Sequence, residues 1–152
     1  MTERYFPFST ESGPRAVAVA GSVFLLFLFC LSLPAAAEMK TPVIAAAESF
    51  FELRDAGSLQ QAWWEGSEIL HQTTRMDRWM EDMRIQSELM GDLVKRSLRS
   101  RVQRSTMPGL PDGEYVILLY DVSFEHKKAG LEILVMLHDA SGDWRLVSYR
   151  LS

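Results

Sequence analysis

An α+β fold is predicted by a change of hydrophobic period along the chain and by the loops that follow it. From Pro42 to Met90, apolar residues recur three and four positions apart, the spacing that puts them on one face of a helix. Past Gly91 the spacing falls to two, the period of a strand with distinct faces. The later apolar runs are joined by short turns, which makes neighbouring strands antiparallel. The expected architecture is about three helices packed on one side of a curved four-stranded antiparallel sheet.

Ahead of these elements, residues 16–33 are almost wholly apolar, follow Arg4 and Arg15, and lead into Pro34 and three alanines. This is the build of an export signal, with Ala35 and Ala37 fitting a peptidase that reads small residues and with Glu38 as the mature N-terminus. A retained membrane anchor is the alternative, since about 18 apolar residues reach the lower limit of a bilayer span. In both cases the remainder faces outward, in the periplasm or beyond the cell, or held at the inner membrane. Cys30 follows Phe29, which is too large for a lipid-attachment signal. Residues 38–152 then form one domain of about 115 residues.

The formal charge is −4, and no basic footprint supports a nucleic-acid role. Cys30 is the only cysteine, so the domain has neither a disulfide nor a thiolate metal site, and packing must hold it together. The chain contains no asparagine, hence no N-glycosylation acceptor, which suits bacterial export.

Thr41-Pro42 opens the first helix, Val43, Ala47, Phe50 and Phe51 give it a buried face, and Gly57 stops it. Ser58 and Gln61 suggest a capping box for a second helix carrying Leu59, Ala62, Trp63, Gly66, Ile69 and Leu70 on one face. A third runs from about Thr74 to Met90, with Met76, Trp79, Met80 and Met83 as its stripe and Gly91 as its terminator.

The first strand, around Val94 to Gln103, alternates toward a largely charged face of Lys95, Arg99 and Arg101. Those charges read as a guard against edge pairing, with a dock for an anionic envelope component as the functional alternative. The Pro108 to Glu114 cluster is a turn, read either as a connection or as a recognition loop. Tyr115 to Phe124, Leu131 to His138 and Trp144 to Leu151 are the remaining strands. Setting Ile133 opposite Tyr149 and Val135 opposite Val147 places Glu132 against Arg150 on the outer face, a favourable cross-strand pair. That register also leaves Ile117, Leu119, Leu134, Met136, Trp144 and Leu146 on the outer face. A sheet apolar on both sides needs a second cover.

The run from Met107 to Val116, then Phe124 with Lys127, Glu132, Asp143-Trp144-Arg145 and Tyr149 resemble the bacterial envelope family called domain of unknown function 4019. The likeness extends from about Ala45 to Leu151. It implies an exported protein with a single α+β domain, and it brings no activity. Ser87 and Leu89 stand where the family often has an arginine and a proline, and Ser148 where it often has a glycine, so a site built on that arginine is absent. The layout is also similar to the NTF2-like and cystatin-like group, by architecture alone.

No catalytic signature occurs. His71, His126 and His138 fall on separate elements, which argues against a metal site, and no cofactor is implied. Asp121, Glu132 and His138 share the outer face in this register, but too far apart for a proton relay. Two functions remain. One is a non-enzymatic interaction module that binds an envelope protein or a second copy of itself through Ile117, Leu119, Leu134, Met136 and Leu146. The other is a small-molecule binder or enzyme with a pocket between helices and sheet, lined by Trp63, Trp79, Met83 and Tyr120. A filled helix–sheet interior favours the first, and a cavity with convergent polar groups the second.

Overall fold

The computed structural model describes residues 41–152, so the expected export segment lies outside the described residues. Four helices, α1 (Pro42–Asp55), α2 (Leu59–Trp64), α3 (Glu68–Thr73) and α4 (Met76–Met90), precede four strands, β1 (Leu93–Arg104), β2 (Glu114–Phe124), β3 (Gly130–His138) and β4 (Trp144–Leu151). The strands form one antiparallel sheet in the order β1-β2-β3-β4. Among the described residues, no helix is long and apolar enough to cross a membrane.

Pro42 occupies the first turn of α1, where a missing N–H costs nothing, and the Thr41 carbonyl accepts from Ile44 and Ala45. The Thr41 hydroxyl does not cap the helix; it accepts from Arg101 Nη1 at 3.3 Å. At the other end the Gly57 N–H reaches the Arg54 carbonyl and the Ser58 N–H reaches that of Leu53. This paired closure requires the positive φ of 74° that Gly57 supplies.

The expected second helix is two. Gly66 is buried between α2 and α3, and a Cβ there would lie 2.6 Å from Leu70 Cδ2 and 2.9 Å from the Trp63 carbonyl oxygen. The chain turns at this close approach. Ser67 then caps α3, its hydroxyl accepting from the Leu70 N–H at 3.2 Å, while its own N–H donates to the Leu146 carbonyl at 2.8 Å. Ser58 forms no side-chain cap, so the expected capping box is not made.

The core joins Val43, Ala47, Phe50 and Phe51 of α1 to Trp63, Leu70, Trp79 and Met83 of the later helices. Beneath them lie Val116, Leu118, Tyr120, Leu134, Met136 and Leu146 of the sheet. Here the structure corrects the expected register. Leu134 pairs with Tyr149, Ile133 with Arg150 and Glu132 with Leu151. Leu134, Met136 and Leu146 therefore point into the helices, and Leu131, Ile133, Val135 and Leu137 point outward with Ile117 and Leu119. An irregularity between Val135 and Met136 leaves Val147 as an extra residue in β4, the two-against-one arrangement of a bulge. A second irregularity, between Leu98 and Ser100 in β1, inverts the alternation there, so Arg101 pairs with Leu118 on the helix side instead of joining Lys95.

Candidate functional site

Glu132 is fully buried on the inner face of β3. That burial is sustainable only because several donors converge on its carboxylate. Arg96 of β1 donates through Nε at 2.5 Å and through Nη2 at 3.1 Å, Arg54 of α1 through Nη1 at 3.2 Å, and the Tyr149 hydroxyl of β4 at 2.9 Å. Asp55 extends the cluster, accepting from Arg96 Nη1 at 2.7 Å and Arg54 Nη1 at 3.0 Å. One helix and three strands are thus tied together by four charges and a phenol.

Aromatic rings hold the two guanidinium groups in place. Arg96 lies 3.8 Å from the Phe51 ring centroid, and Arg54 lies 5.0 Å from that of Tyr149 and 5.7 Å from that of Phe124. Burial works against the Arg96 charge, but the hydrogen bonds to Glu132 and Asp55 outweigh it and raise its pKa. Burial raises the Tyr149 hydroxyl strongly, and Glu132 adds to the effect. Oε1 accepts three of these contacts and Oε2 one, so the carboxylate is held by two arginines and a phenol, and the cluster acts as a clamp.

Two open clefts border α1, and the second is lined in part by Asp55 and Arg96 of the cluster. One, of about 380 Å³, lies between α1, α2 and the start of β4, lined by Phe50, Leu53, Ala62, Trp144 and Arg145 among others. The other, of about 420 Å³, lies between α1 and β1 and is lined by Phe51, Glu52, Asp55, Arg96, Leu98 and Tyr120 among others. Tyr120 is 5% exposed and its hydroxyl is buried without a hydrogen-bond partner.

Trp63, Trp79, Met83 and Tyr120 all belong to the buried core, with Trp63 and Trp79 centroids 5.5 Å apart, and Tyr120 also borders the second cleft. Met76 and Met80 also pack against the core. The five residues expected to form an outer face divide, with Ile117 and Leu119 outside and Leu134, Met136 and Leu146 inside. Asp121, expected on the same face as Glu132 and His138, points outward to an ion pair with Arg99, while His138 stacks on Trp144 and meets Glu114 at 3.1 Å. His71 contacts the Trp63 carbonyl oxygen at 2.7 Å, and His126 is exposed.

Sequence reasoning missed Arg54 and Arg96 as partners of Glu132. Arg54 did carry a signal, since it continues the buried stripe of α1, eleven residues after Val43. Two of the residues that carry the family resemblance, Glu132 and Tyr149, meet at this clamp. A family model described as "Protein of unknown function (DUF4019)" matches residues 46–149. No curated protein and no solved structure matches the chain.

Proposed function

The chain belongs to the DUF4019 family, and from that premise we propose that it is an exported, non-enzymatic interaction domain that binds a protein partner through the outer face of its sheet. The observation that carries this reading is a sheet with two apolar faces, of which the described helices cover one. Ile117, Leu119, Leu131, Ile133, Val135 and Leu137 remain partly exposed on the other. The continuous helix–sheet core, and a Glu132 carboxylate held by two arginines and a tyrosine, support binding over catalysis. Export rests on the charge, apolar run and alanines of the N-terminal segment.

Charge selects the kind of partner. Lys95, Arg104 and Arg150 lie on the outer side of β1 and β4, and none of them has a carboxylate partner among the described residues. A second copy would bring the same cations to the interface, because two-fold contacts pair like patches. A lipid surface favours amphipathic aromatics. The face offers aliphatic side chains, and its one aromatic, Tyr115, is buried with its hydroxyl donating to the Pro111 carbonyl at 2.8 Å. An apolar protein surface edged by carboxylates fits best.

Site-specific photo-crosslinking in cells tests this. A crosslinker at Val135 is expected to give a discrete product with another protein, absent when it is placed at Gln72 on α3 and reduced by Arg150→Glu. A product of two copies of this chain, or none from Val135, overturns the reading.

A further inference from the structure

We propose that the free edge of β1 takes up an extended, acidic protein segment as a further strand of the sheet. β1 is an outermost strand of 12 residues, about 40 Å long at strand rise. Its backbone pairs with β2 on one side, and among the described residues no loop or helix backbone bonds to it on the other. Alternate N–H and C=O groups of such a strand face outward unpaired, which makes it a template for another strand. The opposite edge is not equivalent. There the Leu146 carbonyl of β4 already accepts from the Ser67 N–H at 2.8 Å, and the strand has only 8 residues.

The side chains of β1 show the same lack of a neighbour. None of them is buried, and Val94 and Leu98 remain 66% and 45% exposed. From Ser100 to Arg104 the pairing with β2 runs without irregularity, so this stretch offers a regular ladder to an incoming chain.

Charge decides the occupant. β1 carries Lys95, Arg96, Arg99, Arg101 and Arg104 and no carboxylate. Arg96 is held by Glu132 and Asp55, and Arg99 by Asp121. Lys95, Arg101 and Arg104 are exposed and make no ion pair among the described residues. Lys95 and Arg104 stand on the outer side and Arg101 on the helix side, so acidic side chains on either face of an added strand meet a cation. A second copy paired β1 to β1 would set these cations against one another, which is unfavourable across a ladder. A lipid or polysaccharide anion could meet the cations but has no peptide groups for the ladder. In strand addition, backbone bonds supply affinity and side chains select the partner.

Fluorescence anisotropy and residue-resolved NMR on the purified protein test this with three peptides of equal length. One is rich in threonine and glutamate, the second has lysine in place of glutamate, and the third is the acidic peptide with every backbone nitrogen methylated. The acidic peptide is expected to bind saturably and to protect alternate amides between Ser100 and Arg104 from exchange. It should bind at least about tenfold more tightly than either of the others. Arg101→Glu combined with Arg104→Glu should weaken it by at least about tenfold and favour the lysine peptide, with the melting temperature unchanged. Arg104 also borders the outer face, but only strand addition requires the ligand's N–H groups, so this inference and the outer-face reading fail separately. The proposal is overturned if the acidic peptide does not bind, if the lysine or methylated peptide binds as tightly, or if a second copy already protects β1 in the free protein.

Discussion

Glu132 shows how far the worth of a residue depends on its partners. Removing it leaves Arg54 and Arg96 facing each other in a buried space, so Glu132→Ala is expected to cost about 3–5 kcal/mol in urea unfolding. Arg99→Ala, which removes an exposed ion pair, should stay within about 1 kcal/mol. A second expectation concerns alkaline pH. The Tyr120 hydroxyl ionises near 10 when unfolded and near 12 in the fold. The folded state therefore holds its proton more tightly, and the stability this provides is complete below pH 10 and is lost as pH rises toward 12. Tyr120→Phe should flatten the fall in melting temperature over that interval; an unchanged slope would contradict the assignment. Sequence alone could not reveal the clamp. A lone glutamate in an apolar strand reads as solvent-facing, and the two arginines that bring it inside lie 78 and 36 positions away.

At the scale of elements, the period of the apolar residues located every strand and the first and last helices, because helix and strand impose different spacings. It did not orient β3, where both alternating sets are apolar: Leu131, Ile133, Val135 and Leu137 on one side, Leu134 and Met136 on the other. Such a strand has no preferred face until its partners choose one. Nor did it divide α2 from α3, since Gly66 falls on the apolar stripe and its role is visible only from the space around it. Gly66→Ala is expected to destabilise the domain by about 1–3 kcal/mol, because the added carbon meets backbone as well as a side chain. Ser67→Ala should cost about 1 kcal/mol through the lost cap. Denaturant midpoints of the two variants check both values.

For the molecule as a whole, the helical layer and the sheet share one interior, and both layers were legible from the sequence. The proposed export is a separate matter and rests on residues 1–37 alone. Intact-mass measurement of the exported product is expected to give an N-terminus at Glu38, and full-length protein recovered from membranes would instead favour the anchor.

The same connectivity bears on the order in which the domain assembles. Each strand pairs with its neighbour in sequence, so the sheet can form through short-range closures that are fast and entropically cheap. The helices precede the sheet in the chain, yet Arg54, paired with Asp55 on its own helix, meets Glu132 and the Tyr149 ring only once β3 and β4 have followed. Closure of the ion cluster therefore reports that the last strand has arrived, and a chain truncated before β4 would keep Glu132 but lose the Tyr149 hydroxyl that completes its contacts.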